Sequence, residues 1–300
     1  MRGIDTNKIL EMNTTLREAQ MIMLNILKEV DRICREEDIE YWLDAGTLLG
    51  AIRHNGFIPW DDDVDIAMSA VDYERFLEIA PKKISKEFFL QTNKTDKKAL
   101  LFWTKIRDRK SVLIEEENAN YHQGIFIDIF PFDNFSDNPT RNIWWRKSFK
   151  KLCKISRSLD KCRINTLRYP IFAKKSILKN ISRILLKPIA YSMYFINVDN
   201  VIKFHKKVRK YVVNDSEKTK MGCGLMLPWH RIFNYDTIYP LKFLQFEDAT
   251  FYVPNNYHEY LTICYGDYMQ LPPMEQRVPH HIVLKTKLTP EEIQELNQGY

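Results

Sequence analysis

The 300-residue sequence has no apolar run long enough to span a bilayer, no paired cysteine motif and no internal repeat. Its most apolar stretch, residues 181–198, is broken by two bases and a proline, which argues against a transmembrane helix. Residues 1–13 contain no apolar segment of the kind that a signal peptide needs. The five cysteines are odd in number and none is spaced as Cys-x-x-Cys, so neither a disulfide framework nor a structural zinc site is expected. These absences favour a globular protein in a reducing compartment, and we expect a cytoplasmic location.

Charge is distributed unevenly along the chain. The net charge is +6, yet residues 141–220 contain 22 Lys plus Arg and four acids. This basic segment therefore carries +18 and the rest of the chain −12. Such a split predicts a folded body with an inserted basic module that faces something anionic. No nucleic-acid-binding module is recognisable in the sequence, so nucleic acid is not expected as the partner.

Three alternating acids stand out in residues 59–66, which read Pro-Trp-Asp-Asp-Asp-Val-Asp-Ile. Side chains along a strand alternate between its two faces, so Asp61, Asp63 and Asp65 are predicted to point the same way. Crowded carboxylates raise one another's pKa unless a cation neutralises them, and Mg²⁺ or Mn²⁺ is the natural oxygen-bound ion. A solvated acidic loop is the alternative, but the apolar Val64 and Ile66 favour the metal site.

A single acid lies within the apolar run of residues 125–130, Ile-Phe-Ile-Asp-Ile-Phe. Burying a carboxylate is unfavourable unless it is paired or bound to a metal, so Asp128 is a second candidate functional residue. If its strand lies beside the strand of Asp63, Asp128 joins the metal site, and it could also act as general base on an attacking hydroxyl. The alternative is an aspartate at the rim of the sheet that accepts backbone N–H hydrogen bonds.

Hydrophobic periodicity and capping signals predict alternating helices and strands. Helices are predicted over 14–37, 48–55, 71–79 (capped by Ser69) and 255–264, and strands over 41–45, 63–68 and 124–130. Residues 99–107 and 111–115 are predicted to form a strand pair, residues 243–253 a hairpin, and the basic segment helices. This order predicts an α+β fold with a mixed sheet.

Four ordered segments together resemble the LicD family of phosphotransferases, whose core is related to that of the fukutin-related proteins of animals. They are Gly46-Thr47-Leu48-Leu49-Gly50, the acidic block 59–66, Asp128-Ile129-Phe130-Pro131, and residues 265–273. The resemblance implies a nucleotidyltransferase-like mixed-sheet core with flanking helices, in which a Gly-Thr turn precedes an Asp-x-Asp strand and a third Asp lies on a neighbouring strand. We therefore expect a catalytic core over 1–137, a basic helical insertion over 138–235, and a C-terminal part over 236–300 that completes the catalytic domain.

The resemblance also implies an enzyme that transfers a phospho-substituent, typically phosphocholine from CDP-choline, to a hydroxyl of a cell-surface glycan or its lipid-linked precursor. Lipopolysaccharide and teichoic acid are glycans of this kind. The acids that match those of the family are Asp61, Asp63, Asp65 and Asp128. They would hold Mg²⁺ or Mn²⁺ against the CDP-alcohol donor, with Asp63, Asp65 and Asp128 as catalytic residues.

Five residues near these acids are predicted to bind the substrate. Because Gly46 has no side chain, the backbone can approach the phosphates closely, and the Thr47 N–H at a helix start can donate to them. Lys105 and Arg107 share one face of their predicted strand and could clamp phosphate oxygens, although a pair of exposed surface bases is the alternative. Trp60 is the fifth.

Choline binding needs a cage of aromatic faces, because a quaternary ammonium offers no hydrogen bond. Candidates next to the motifs are Trp60, Trp103, Tyr121 and Trp229, each of which could instead be a core residue. His280 and His281 follow the Pro-rich motif, and no role is assigned to them. Residues 265–267, Tyr-Gly-Asp, either bind substrate or close a turn.

A row of bases recurs at every fourth position of the basic segment, at Lys175, Lys179, Arg183 and Lys187. A helix with such a row and an apolar stripe could lie peripherally on the anionic inner face of the plasma membrane, or bind a polyanionic acceptor. An ordinary packed helix with a solvated face is the third interpretation.

Two other functions fit the acidic motif. One is a nucleotidyltransferase that moves a nucleoside monophosphate from an NTP to a small molecule, which release of pyrophosphate rather than CMP would reveal. The other is a non-catalytic, membrane-associated transferase homologue, against which the presence of all four acids argues.

Overall fold

The computed structural model describes residues 6–115, 120–135, 138–164, 186–212, 219–223, 231–279 and 284–300. The helices within these ranges are α1 Thr6–Glu36, α2 Ala45–His54, α3 Ala70–Lys83, α4 Pro139–Ile164, α5 Val198–Val212, α6 Tyr235–Ile238, α7 Tyr257–Tyr265 and α8 Pro290–Leu296. The strands are β1 Trp42–Leu43, β2 Asp65–Ser69, β3 Phe88–Gln91, β4 Thr104–Asp108, β5 Val112–Leu113, β6 Phe126–Phe135, β7 Lys220–Cys223, β8 Ile232–Asn234, β9 Lys242–Phe246, β10 Ala249–Val253 and β11 Leu284–Lys285. Residues 186–192 are also helical.

Strand β6 is the centre of a seven-stranded mixed sheet. On one side it runs parallel to β2, which pairs with β1, and on the other it runs antiparallel to β4, which pairs with β3. The C-terminal half of β6 pairs with β7, and β7 pairs with β8. In this register Asp65 lies opposite Asp128, and Asp128 lies opposite Lys105. Directly paired residues project from the same face, so these three residues form a row across the sheet.

The opposite face of the same strands is apolar and belongs to the core. Ile106, Ile127 and Ile129 alternate with the charged residues and are fully buried. Helix α1 contacts β4 and β6, and α3 contacts β2 and β6. The α3 residue Tyr73 reaches this face, where its hydroxyl lies 2.6 Å from Thr104 Oγ1. Two helices therefore cover the apolar face, and the charged row lies on the other.

The predicted α+β fold with a mixed sheet is confirmed. The predicted hairpin is formed by β9 and β10. Ser69 caps α3 as predicted, because its hydroxyl accepts a hydrogen bond from Asp72 N at 3.1 Å. The boundaries of the three sequence regions stay a prediction.

One predicted strand pairing is wrong. Residues 99–107 and 111–115 do not pair with each other, since β4 lies between β3 and β6, and β5 pairs with β11. The residues between them, Asp-Arg-Lys at 108–110, include no glycine or asparagine of a tight hairpin turn. Strand β4 pairs with β6 instead, which brings the buried Lys105 beside Asp128.

Most of the described part of the basic segment is helical, as predicted, whereas residues 193–197 are not helical and Lys220 begins β7. Helices α4 and α5 pack against each other around a second apolar cluster that includes Phe149, Val201 and the β6 residue Phe135. His205 of α5 is buried, and its Nε2 lies 3.0 Å from Oδ2 of Asp133 on β6. This contact joins the basic segment to the central strand.

The helices of the described ranges are too short or too polar to span a membrane. Of the predicted row of bases, Lys187 lies in the helical stretch 186–192, whereas Lys175, Lys179 and Arg183 lie outside the described residues.

Candidate active site

The three alternating acids line one cavity at the start of β2. Asp61, Asp63 and Asp65 are half-buried, whereas Asp62 and Val64 between them are buried. The cavity has a volume of about 550 Å³, and its other walls come from α2 and from residues 265–276. The acids thus point the same way, although residues 61–64 precede β2 and do not belong to it.

The turn between β1 and α2 is attached to the first residue of β2. Asp44 N donates to Asp65 O at 3.0 Å, and Asp65 N donates to Thr47 Oγ1 at 2.8 Å. Asp44 also caps α2, and its carboxylate accepts hydrogen bonds from Ala45 N at 2.7 Å and from the Tyr260 hydroxyl at 2.6 Å. Thr47 therefore positions Asp65 through its hydroxyl, and the predicted contact of its N–H with phosphate stays a prediction.

Gly46 lies directly against the Asp61 carboxylate. A Cβ atom at position 46 would be 2.9 Å from Asp61 Oδ2, closer than real Cβ atoms come to other atoms. Glycine is therefore the residue that lets this carboxylate approach the first turn of α2. The close approach that the sequence predicts for a phosphate is made here by a side-chain carboxylate.

Burial and mutual repulsion disfavour the charged forms of these acids. Burial raises the pKa of Asp61 to about 8, with the neighbouring Asp63 as the second cause. Burial also raises the pKa of Asp65, and the negative charges of Asp63, Asp128 and Asp44 add to the effect. The cavity is thus short of positive charge, which a bound cation would supply.

The donor set of this cavity suits a hard cation, because carboxylate oxygens are the ligands that Mg²⁺ and Mn²⁺ prefer. Within the part of the chain that the structure describes, however, no group of three or more His, Cys, Asp or Glu side chains is arranged to hold a metal ion. The carboxylates of the cavity and the raised pKa values of Asp61 and Asp65 are compatible with a bound metal ion. The metal ion itself stays a prediction.

Asp128 is held by two side chains on the charged face of the sheet. Trp103 Nε1 donates to Asp128 Oδ1 at 2.6 Å, and Lys105 Nζ donates to Oδ2 at 3.0 Å. Burial raises the pKa of Asp128, and Lys105 opposes this effect. The carboxylate thus has side-chain donors rather than the backbone N–H donors of a rim aspartate.

Lys105 and Arg107 line a second cavity, of about 150 Å³, and not the acidic one. Both side chains are buried, so the alternative of exposed surface bases is wrong. Lys105 Nζ lies 3.1 Å from Glu115 Oε1, and Arg107 pairs with Glu115 and donates to Gly124 O at 2.7 Å. Burial alone would raise the pKa of Glu115, but the two bases lower it to about 2. Their predicted contact with donor phosphates stays a prediction.

The candidate aromatic residues divide between the two cavities. Trp60 lines the acidic cavity, and the guanidinium carbon of Arg277 lies 5.4 Å from its ring centre. Trp103 and Tyr121 line the second cavity. Trp229, His280 and His281 lie outside the described residues. Among the residues that are described, the predicted aromatics thus do not meet in a single cage.

Arg53 also lines the acidic cavity, and no sequence motif pointed to it. Its Nη1 donates to Tyr268 O at 2.9 Å and its Nε to His54 Nε2 at 3.0 Å, so the guanidinium is held in place. Burial lowers the pKa of Arg53, and the positive charge of Arg277 adds to this effect. Positions 46, 49 and 53 line the cavity at helical spacing, a signal that could have identified this arginine.

The Tyr-Gly-Asp segment closes a turn and lines the acidic cavity, and its binding of substrate stays a prediction. Gly266 ends α7 with a φ of 68°, which closes the turn. Tyr265 and Asp267 on either side of it line the acidic cavity. Four carboxylates, an arginine and three aromatic rings thus surround one opening, a combination suited to a metal-neutralised phosphate ester.

Comparison with known proteins identifies the family of the chain. Residues 38–171 match the family model described as LicD/FKTN/FKRP, nucleotidyltransferase domain. The chain is similar to the lipopolysaccharide cholinephosphotransferase LicD of Haemophilus influenzae, with 31% identity over 277 residues, which cover 89% of this chain and 96% of that protein. It is also 24% identical over 129 residues to the ribitol 5-phosphate transferase FKRP of Homo sapiens, covering 43% of this chain and 22% of that protein. The similarity to the Haemophilus influenzae protein extends over almost the whole of that protein, and the range matched by the family model spans the positions of Asp61, Asp63, Asp65 and Asp128. The chain belongs to the LicD family of phosphotransferases.

Proposed function

We propose that the protein transfers phosphocholine from CDP-choline to a hydroxyl of a lipopolysaccharide-type glycan or its lipid-linked precursor. The observation that carries this proposal is the convergence of Asp61, Asp63 and Asp65 on one cavity. The similarity to a lipopolysaccharide cholinephosphotransferase supports the choice of transferred group and acceptor. We also propose that the enzyme works at the inner face of the plasma membrane, where the charge of the basic segment favours anionic lipid.

The cavity acids are the proposed ligands of Mg²⁺ or Mn²⁺. Such an ion would neutralise the charge that develops on the leaving phosphate of CMP. Arg53, which is fixed by two hydrogen bonds on the same cavity wall, is the proposed partner of a donor phosphate oxygen. Gly46 keeps the Asp61 carboxylate at the cavity wall beside this arginine.

Asp128 is the proposed general base. Its raised pKa favours accepting the proton of the acceptor hydroxyl, and its neighbour Lys105 would stabilise the carboxylate before transfer. Trp103 fixes the other carboxylate oxygen. Since Asp65 and Asp128 are paired across β2 and β6, the proton acceptor lies next to the proposed metal ligands.

The test is release of CMP. The protein is incubated with Mg²⁺ and CDP-choline, CDP-ethanolamine or CDP-ribitol, with and without lipopolysaccharide, and CMP is measured. CMP from CDP-choline that depends on both metal and acceptor is expected. The Asp63→Asn variant should lose this activity, whereas Asp248→Asn, an exposed acid of the β9–β10 turn, should keep it. Pyrophosphate release from an NTP, with no CMP from any CDP-alcohol, would favour the nucleotidyltransferase alternative instead.

A further inference from the structure

The second cavity lies beside Asp128 on the charged face of the sheet. Both residues that hold the Asp128 carboxylate, Trp103 and Lys105, are part of its wall. Its volume of about 150 Å³ corresponds to roughly five water molecules, which is room for one oxyanion and part of a sugar ring. The bases that line it are Lys98, Lys105, Arg107, Arg157 and Lys161.

Positive charge exceeds negative charge around this cavity. Among the described residues that line it, Glu115 is the one acid, and Asp128 lies just behind Lys105. These two acids match the charges of the buried Lys105 and Arg107. Glu116 and Glu117 lie outside the described residues, and even if both were counted the bases would remain in excess.

Two of the bases come from the basic segment. Arg157 and Lys161 are four residues apart on α4 and therefore share one face of the helix. The guanidinium carbon of Arg157 lies 5.1 Å from the ring centre of Phe102 and 5.8 Å from that of Trp103. The basic segment thus brings cations to the residue that binds Asp128.

We propose that this cavity binds an oxyanion carried by the acceptor glycan, a phosphate or a sugar carboxylate, and so places the neighbouring hydroxyl at Asp128. Arg157 can bind such a group through two parallel hydrogen bonds, and the Trp103 and Tyr121 rings offer apolar faces to a sugar. The assignment rests on the proposed function in naming the glycan as the carrier of the anion and Asp128 as the base, whereas the binding of an oxyanion in the cavity does not depend on it.

Binding without turnover tests the anion site itself. Glucose 6-phosphate, glucuronic acid and glucose are titrated into the protein in calorimetry at low and at physiological salt. The two anions should bind more weakly as salt rises, and glucose should not bind. Arg157→Gln and Lys161→Gln should each weaken the anions about tenfold or more, because a charged hydrogen-bond donor is lost. Lys151→Gln, an exposed base of the same helix outside the cavity, should change nothing.

Competition with the donor distinguishes the two possible sources of the anion. If the cavity serves the acceptor, saturating CMP leaves the binding of glucose 6-phosphate in place, and Arg157→Gln raises KM for the acceptor while CMP binding is unchanged. If CMP displaces the sugar anion and Arg157→Gln weakens CMP binding, the cavity belongs to the donor and the proposal is wrong. Equal binding of glucose and its anionic relatives would also overturn it. Failure of all CDP-alcohols as donors would contradict the proposed function but leave the binding result intact.

Discussion

At the residue scale, the acids of the first cavity are placed where they repel one another. The pKa of Asp65 is raised by four neighbouring carboxylates in addition to burial. The fold gains nothing from this arrangement, since removing one charge would relieve the repulsion. Acids that are unfavourable for stability are typical of functional sites.

Replacing Asp63 or Asp65 by alanine should therefore abolish transfer without unfolding the protein. A loss of about 10²-fold or more is expected, because a charge that stabilises the transition state disappears. The melting temperature should stay at or above that of the wild type. CMP release and thermal unfolding are measured side by side, and an activity above roughly a tenth of wild type would rule out these ligands.

Asp128→Asn should separate binding from chemistry. An amide cannot accept the hydroxyl proton, so CDP-choline should still bind while transfer is lost. Calorimetry with the donor and CMP release in the presence of acceptor measure the two properties. Unchanged transfer would reduce Asp128 to a structural partner of Trp103 and Lys105.

Gly46→Ala should make the protein more stable and less active. Alanine favours a helix by about 1 kcal/mol over glycine, and the new Cβ would meet only the movable Asp61 carboxylate. Displacing that carboxylate should weaken metal-dependent turnover. Gly50→Ala is the contrast, because its Cβ would lie 2.5 Å from the backbone oxygen of Gly56 and should destabilise the fold. Denaturant unfolding and CMP release of both variants are compared, and full activity of Gly46→Ala would contradict the account.

The sequence was enough to bring Asp61, Asp63 and Asp65 together, because strand-like alternation is a local property. It was not enough for Arg53 or Asp44, whose positions depend on distant partners. Arg53 is held by Tyr268 and Asp44 by Tyr260, each more than 200 residues away in the chain. Contacts of this range leave no periodic signal in the sequence, and the helical spacing of positions 46, 49 and 53 indicates only that Arg53 shares a helix face with Gly46.

At the element scale, the β9–β10 hairpin holds the loop that carries the acids. Glu247 in the hairpin turn accepts a hydrogen bond from Phe57 N at 3.0 Å and pairs with Arg17 of α1 at 2.6 Å. The Arg17 hydrogen bond lowers the pKa of Glu247. One carboxylate thus links α1, the hairpin and the segment that leads into Trp60 and Asp61.

Glu247→Gln should lower the free energy of unfolding by about 1–3 kcal/mol, since charge-assisted hydrogen bonds are lost at a partly buried position. The adjacent Asp248, which forms an exposed pair with Lys28, is the matched control. Asp248→Asn should change the stability by less than about 0.5 kcal/mol. Urea unfolding of both variants is the measurement, and equal effects would argue against a special role for Glu247.

The sequence predicted helices and strands correctly where local signals determine the structure. It failed where a strand pairs with a segment that is distant in the chain. The helix capped by Ser69 and the hairpin of residues 243–253 follow from local signals. Strand β3, Phe-Phe-Leu-Gln, is four residues long and shows no alternation, so periodicity does not reveal it. Strands β4 and β5 take partners that allow Lys105 and Arg107 to be buried beside acids. The hydrophobic pattern of the sequence contains no information on such ion pairs.

At the scale of the whole molecule, acid should destabilise the fold through His122. This side chain is buried, and its Nδ1 accepts a hydrogen bond from Gly124 N at 3.1 Å. Burial lowers the pKa of His122 from 6.5 to about 3, with Arg107 as the second cause. Between these two values the unfolded chain binds a proton that the folded chain does not, so stability falls as pH decreases from 6.5 towards 3.

Each pH unit in this window should remove about 1.4 kcal/mol of stability through this one residue. His122→Asn keeps an acceptor near the position of Nδ1 but does not titrate. Unfolding free energies of wild type and variant, measured from pH 7 to pH 4, should diverge in slope by this amount. Parallel curves would show that His122 is not the responsible group.

Strand β6 sets a fixed distance between Asp128, the proposed base, and Asp133, the point where the basic segment joins the sheet. Its ten residues carry Asp128, and five positions later Asp133, which joins the strand to α5 through His205. The two acids are therefore about 17 Å apart along one rigid strand. A different basic segment could be exchanged after this strand without moving Asp128, provided that it offered Asp133 a partner. If the proposed roles hold, a new acceptor would be reached in evolution by replacing one module, and the proposed catalytic centre would be inherited unchanged.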